Sequence, residues 1–236
     1  YLILSDIHDN QEAFERALHV NISKEIDIVV FLGDILGYGA NPKECLDLAR
    51  SYAGIYIVGN HEHALLHWDE TSMMNPYAVR ALEWTRNRIE KSDVDFIRTF
   101  DVMKEHGVCT FVHASPREPE QFEYILNVND ADKAFRFFDT PLCFIGHTHI
   151  PAYYVEGDPE NYAVRHGRVN LDRDKKYIIN VGSVGQPRDM DSRLSCCIFD
   201  DAAYSVELLR LEYDNAKAAQ KIRDCGLPAS LANRLL

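Results

Sequence analysis

The chain has 236 residues, 46% apolar and 26% charged, with a formal net charge of −12. That length and balance suit a single globular domain with a sizeable core. They exclude a general nucleic-acid or anionic-membrane binder, which needs a basic surface, but not an anionic substrate held through bound cations. In chain order, "YLILS" at 1–5 predicts a strand and "QEAFERALHV" from 11 an amphipathic helix. "DIVVFLG" at 27–33 predicts a strand, and "PKECLDLARSY" from 42 a helix with proline at its start. "GIYIVG" at 54–59 is a further strand, followed by helical patterning over 61–100, a candidate cap over a site or dimer surface. Strands follow near "VCTFVH" and "LCFIG", with helices at 119–126 and 130–139 between them. After 150 the chain turns β-rich: "AYYVE", "KYIINVGS", "RLSCCIF" and "YSVELLRLEY" predict four strands before a terminal helix from 214. The polar stretch 156–176 reads as a loop or hairpin. The fold class expected is α/β (α+β), a four-layer sandwich of two stacked mixed sheets flanked by helices, over residues 1–236.

No apolar run reaches the ~20 residues of a membrane span. The start lacks the basic-then-apolar layout of a signal peptide, so a cytoplasmic location is expected, and with no initial methionine a few residues are expected to precede Tyr1. The cysteines at 45, 109, 143, 196, 197 and 225 show no C-x-x-C spacing. Reduced, buried thiols are expected rather than a disulfide framework or a Cys-zinc site.

The stretch "VGNHEHALLHW" at 58–68 holds three histidines, yet it is not a zinc-protease helix. His61-Glu62 would need histidine at 65, where Leu65 stands. Its meaning lies in position. Asp6 and His8 follow the first strand, Asp34 the second, and Asn60 and His61 the third. His113 follows "CTFV", and His147 and His149 follow "CFIG". Five apolar strands each end in a metal-competent side chain, and in α/β sheets ligands bind outside the carboxyl ends of strands. Gly33, Gly59 and Gly146 precede the polar groups, where the chain turns sharply and the backbone approaches a ligand. Imidazoles, carboxylates and one amide suit manganese, iron, cobalt, nickel or zinc better than calcium. Seven candidate ligands suffice for two metals sharing a carboxylate, an arrangement suited to phosphoryl transfer.

In order, "SDIHDN", "GDILGYG", "GNHE", "VHASP" and "GHTH" resemble the motif series of the calcineurin-like metallophosphoesterases. "INVGSVGQPRD" at 179–189 looks like the small prokaryotic phosphoesterase and phosphodiesterase branch. The resemblance implies that Asp6, His8 and His149 bind one metal, Asn60, His113 and His147 the other, and that Asp34 bridges them. It implies a metal-bridging hydroxide that attacks phosphorus in line, with His61 as the non-ligand histidine acting on the leaving oxygen. One departure stands out. The family commonly has glycine after the first motif's histidine, where this chain has Asp9. Asp9 is read first as the N-cap of the helix starting near Gln11, and otherwise as extra negative charge beside a metal.

His63 and His67 are expected to contact solvent or neighbouring groups, and His19, His106 and His166 to lie on the surface. Arg117 and Arg188 are candidate phosphate contacts, with solvated ion pairs an equal alternative. The expected activity is a dinuclear-metal phosphoesterase acting on phosphodiesters or small nucleotide-like substrates. The alternatives are a phosphomonoesterase, including a protein phosphatase, and, in another class, a non-catalytic protein-binding scaffold that has lost its ligands. A small phosphorylated substrate is the expected partner, and a homo-oligomer is compatible with the helical stretch at 61–100.

Overall fold

The computed structural model describes residues 1–159 and 166–236, including the side chains of all of these except 21–23, 72 and 73. Its strands are β1 Leu2–Leu4, β2 Val29–Phe31, β3 Gly54–Tyr56, β4 Met103–His106, β5 Cys109–Val112, β6 Leu142–Ile145, β7 Ala152–Val155, β8 Gly167–Asn170, β9 Tyr177–Asn180, β10 Leu194–Asp200 and β11 Ser205–Leu211. The helices are α1 Gln11–Ser23, α2 Pro42–Arg50, α3 Asn60–Leu66, α4 Pro76–Arg86, α5 Lys91–Ile97, α6 Val128–Ala134, α7 Asn215–Asp224 and α8 Ala229–Asn233. The strands build a six-stranded sheet in the order β3-β2-β1-β10-β11-β8 and a five-stranded sheet in the order β4-β5-β6-β9-β7. Both are mixed. β1, β2 and β3 run parallel, as do β5, β6 and β9, while the other neighbours are antiparallel.

Alternation along the strands explains the layers, because successive side chains point to opposite faces. Ile3 and Val30 turn inward to meet Phe111, Phe144 and Ile179 of the other sheet, all fully buried. Their neighbours Leu2, Leu4, Val29 and Phe31 turn outward onto Phe14, Leu18 and Leu46 of α1 and α2. On the far side, Cys143, Ile145 and Ile178 pack against Ala131, Ala134 and Phe135. The result is helix, sheet, sheet, helix, as expected. The six cysteines are all free thiols, five of them buried. Among the described residues no helix is long and apolar enough to cross a membrane.

One local expectation changes, and two strands go beyond the sequence reading. The helix expected over 119–126 is only a 3₁₀ turn at Pro119–Gln121, because Glu118 (φ 45°) and Phe122 (φ 51°) adopt left-handed backbone on either side. The exposed edge strand β4 carries no apolar alternation to announce it. Within the loop or hairpin read over 156–176, Gly167–Asn170 pairs with β11, while 160–165 lie outside the described residues. The stretch 61–100 is helical: α3, a 3₁₀ turn at Trp68–Met73, then α4 and α5.

Candidate metal centre

The carboxyl ends of the parallel strands in both sheets converge. β1 delivers Asp6 and His8, β2 Asp34, and the start of α3 beyond β3 delivers Asn60 and His61. From the second sheet β5 delivers His113, and β6 delivers His147 and His149. Donor atoms gather into three buried groups, each within 4.8 Å: Asp6, His8 and His149; His8, Asp34 and His61; and Asp34, His113 and His147. Of the residues singled out from the sequence, all but Asn60 and the two arginines fall in these groups. Asn60 is adjacent, its Oδ1 lying 3.3 Å from His113 Nε2.

The backbone is bent to achieve this. Asp6, His8, Asp34, His147 and His149 all have φ between 52° and 64°. Left-handed backbone costs a non-glycine residue roughly 1–2 kcal/mol, and such strain concentrates at functional sites. The turns need close backbone contact as well. A Cβ on Gly59 would lie 2.2 Å from Asp34 Oδ1, and one on Gly146 would lie 1.9 Å from Ser5 Oγ.

Hydrogen bonds set the protonation of the cluster. His8 Nδ1 lies 3.1 Å from Leu36 O, and His149 Nδ1 lies 2.6 Å from Gln186 O. A carbonyl only accepts, so Nδ1 of each ring donates to it and Nε2 is the atom turned toward the cluster. Those two Nε2 atoms face each other at 3.1 Å. Asp6 Oδ1 lies 3.2 Å from His149 Nε2 and 3.8 Å from His8 Nε2, without a hydrogen bond of its own. The other oxygen, Oδ2, is satisfied by Ser5 Oγ at 2.7 Å and His147 N at 3.0 Å. Two Nε2 atoms and one carboxylate oxygen thus converge on one buried point. With each Nδ1 held by a carbonyl, the neutral rings that metal binding requires would present their Nε2 lone pairs there, and the residues fit a divalent metal.

The second group differs in holding a proton. Burial pushes the His113 ring down, but Asp34 and Asp6 more than reverse this and raise it to about 9. Burial would push the Asp34 carboxyl up, yet His113, His61 and His8 hold it well below the usual range. His147 is pushed down to about 3 by burial and by His113. Nδ1 of His147 lies 3.2 Å from His113 Nε2, while its own Nε2 is buried without a partner. A divalent cation would replace the His113 proton, since ligand imidazoles must be neutral.

Several supporting residues escaped the sequence reading. Glu62, fully buried, accepts from the backbone N–H groups of Asp34 (2.8 Å), Leu36 (2.9 Å) and Gly59 (3.1 Å), and so fixes the turn that presents Asp34. Asn180, at the end of β9, donates to Gly146 O at 2.6 Å and Thr148 Oγ1 at 3.0 Å, shaping the loop of His147 and His149. Tyr124 stacks on His147 with ring centroids 4.1 Å apart. Tyr38 packs against both His8 and His61 at 4.6 Å. The available signals were the glutamate of "GNHE" and the tyrosine of "GDILGYG".

Asp9 is not the helix cap. Asn10 caps α1, accepting from Ala13 N at 3.2 Å. Asp9 is buried and its Oδ2 accepts from Gly37 N at 2.8 Å and Thr85 Oγ1 at 3.0 Å, tying α4 to the loop behind Asp34. Its left-handed backbone (φ 55°) turns it inward, and burial raises its carboxyl well above the usual range. The arginines separate. Arg188 lies beside the hydroxyls of Tyr38 and Tyr124 at the mouth of the centre. Arg117 faces Glu123 at 3.6 Å in a separate hollow with Ser115 and Lys133. His63 bonds Glu70 at 3.0 Å and stacks near His67, whereas His19, His106 and His166 are exposed.

A cleft of about 660 Å³ opens onto the centre, with Asn60, His147, Tyr38 and Tyr124 at its inner end. Two mixed sheets with flanking helices and buried His/Asp groups at their shared carboxyl edge match the architecture of metallophosphoesterases. The chain belongs to the calcineurin-like phosphoesterase superfamily, whose domain profile matches residues 1–202. It is 39% identical over 237 residues to an uncharacterised protein of Methanocaldococcus jannaschii, covering 99% of this chain and 96% of that one. It is 38% identical to a metallophosphoesterase of Sphaerobacter thermophilus, whose crystal structure superposes with a TM-score of 0.89 over 99% of this chain and 96% of that chain. A hypothetical protein from Pyrococcus horikoshii shares the fold, with a TM-score of 0.82 at 15% identity over 99% and 96% of the two chains.

Proposed function

We propose that the protein is a dinuclear-metal phosphoesterase that hydrolyses phosphodiesters or small nucleotide-like phosphoesters. The observation that carries this reading is the position of Asp34 Oδ2. It lies 3.5 Å from His113 Nε2, 3.7 Å from His8 Nε2 and 3.9 Å from His61 Nε2, so one carboxylate oxygen borders both halves of the cluster. Asp6, His8 and His149 would hold one cation, Asn60, His113 and His147 the other, with Asp34 shared. When bound, divalent cations polarise phosphoryl oxygens and lower the pKa of water to near neutrality. Oxygen, nitrogen and no sulfur among the donors favours manganese, iron, cobalt, nickel or zinc. The complete donor set, buried at all positions but the half-buried Asn60, counts against a non-catalytic scaffold.

The chain's own residues supply the rest. Asp34 Oδ1 accepts from His61 N at 2.9 Å, so the shared carboxylate and the histidine move as one unit. His61 Nδ1 is buried without a partner, packed where a Cβ on Gly37 would come within 2.0 Å of it. The ring's open route for a proton is therefore Nε2, which donates to the departing oxygen. Arg188 orients a phosphate oxygen at the mouth, a task that suits a planar guanidinium. The cleft beyond gives the second alcohol of a diester a place to lie. A metal-reconstituted screen of monoesters, diesters and dinucleoside polyphosphates, with metal analysis, tests the reading. Two metals per chain with diester turnover above monoester turnover are expected. A monoester excess would favour the phosphomonoesterase alternative, and failure to bind metal or turn over any ester would refute both.

A further inference from the structure

The cleft has two chemically different ends. Its inner end carries Asn60 and His147; the latter is only 7% exposed, with Nε2 lacking a partner. Beyond these and Tyr124, which stacks on His147, the lining is apolar, with Phe122, Met74 and Ala64. Phe122 turns its ring edge-on to His63, 5.4 Å away, and to His113, 6.0 Å away. The outer end is acidic: Asp69 and Glu70 from the 3₁₀ turn after α3, and Glu120 from the turn facing it, are all exposed. Among the described residues, no lysine or arginine lines the cleft. His63, which does line it, is engaged by Glu70, while Arg188 lies beside the hydroxyls of Tyr38 and Tyr124 at the inner end.

A substrate that placed a second phosphate at the outer end would bring its extra charge against three carboxylates, with no lysine or arginine lining that end to meet it. A neutral or ammonium-bearing alcohol would meet no such opposition, and an ammonium group would also gain from the aromatic faces and the acidic rim. We infer that Asp69, Glu70 and Glu120 are specificity-determining residues: the cleft takes the alcohol portion of a phosphodiester, favours a cationic head group over a neutral one, and rejects a further phosphate. The inference rests on the phosphoesterase reading and narrows it, setting dinucleoside polyphosphates outside the preferred class.

Three diesters with a common methyl group test it: methyl phosphates of choline, of ethylene glycol and of 2-phosphoethanol, followed by phosphorus NMR with metal-loaded protein. The small methyl group leaves the cleft to the variable alcohol. KM should rise in that order. The triple variant Asp69→Asn, Glu70→Gln, Glu120→Gln should compress the span between choline and phosphoethanol roughly tenfold, since at physiological salt a unit charge ~8 Å away in a water-like medium changes an equilibrium about 1.4-fold and three carboxylates act on a head-group difference of about 2.5 charges. Neutralising Glu105, Asp132 and Asp224, exposed residues that do not line the cleft, should leave the span unchanged. Titration calorimetry with the methylphosphonate counterparts reads the same ranking without turnover. If phosphonate affinities follow the predicted order while no ester is cleaved, the hydrolytic reading fails and the specificity assignment stands. A ranking that is the same in wild type and triple variant, or a phosphoethanol ester that binds best, overturns the assignment whatever the activity.

Discussion

Replacing Asp34 by asparagine keeps the size and the Oδ1 acceptor for His61 N, but removes the charge at Oδ2, which lies within 3.9 Å of three imidazoles. Loss of an outer partner of a metal ligand typically costs 10–100-fold in affinity, and loss of a shared ligand should cost at least the upper figure. At a metal concentration 100 times the dissociation constant, binding stabilises wild type by about 2.7 kcal/mol. In a chain of this size that corresponds to a rise in Tm of roughly 5–11 °C. A hundredfold weaker site at the same concentration contributes only RT ln 2, about 0.4 kcal/mol, or roughly 1 °C. The assay is differential scanning fluorimetry of each protein with and without manganese, each referred to its own metal-free Tm, with elemental analysis of bound metal. That reference removes the separate effect of losing the Asp34–His113 ion pair in the metal-free protein. Asp34→Asn that keeps two metals and the full thermal shift would refute the shared-ligand argument.

His61→Ala should keep wild-type metal content and thermal shift while losing about 10²–10⁴-fold in turnover of alkyl esters, with a smaller loss for nitrophenyl esters, whose leaving group needs little proton donation. A uniform loss across both ester types would remove its acid role. Gly146→Ala drives a methyl into Ser5 Oγ and Asp6 Oδ2, and should cost about 1–3 kcal/mol in urea unfolding together with most metal uptake. Undisturbed metal binding would show that the Asp6 loop yields more freely than its contacts imply. Away from the centre, Asp93 is buried and receives Lys43 Nζ and Arg50 Nη2, each at 2.9 Å, and Glu90 N, also at 2.9 Å. Burial opposes ionisation, but these donors outweigh it and hold the carboxyl below its ordinary value. A lowered folded pKa gives stability present above the unfolded value near 4 and lost as pH falls through the folded one. Asp93→Asn should thus cost about 1–2 kcal/mol at pH 7 and less in the acid limb below pH 4, read by urea titration at both pH values.

The centre was legible because five separate strands advertise themselves as apolar runs and each ends in a residue of unusual chemistry. Position along the chain was enough to place Asp6, Asp34, Asn60, His113 and His147 at one edge. What escaped depends on backbone sign and on distant partners. Asp9 and Asn10 are adjacent and equally good caps by type; only the left-handed φ of Asp9 sends it to Gly37 and Thr85 and leaves the cap to Asn10. The segment after Pro119 has helical composition, yet two left-handed residues bend it so that Phe122 and Tyr124 wall the cleft. His63 was expected to meet solvent or neighbouring groups, with a supporting role beside the ligands as the alternative, and its place on that wall depends on Glu70 and Phe122, seven and 59 residues further along.

The register of β1 has a consequence for biosynthesis. β1 lies between β2 and β10, and Leu2 pairs with Ile198. The Asp6 carbonyl waits for Ser183 Oγ, 177 residues downstream, and its carboxylate for His147 N, 141 residues downstream. At ribosomal rates of about 5–20 residues per second, roughly 10–35 s separate the emergence of Asp6 from that of Ser183. Throughout that interval Asp6 and His8 are outside the ribosome without Ser183 and its neighbours, which complete the contacts around their left-handed turns. Pairings of such long range also close slowly, because their loop entropy is lost before the contact forms. A nascent chain therefore offers cations only scattered histidines and aspartates, and the assembled donor set arrives with the last strands, marking a finished molecule.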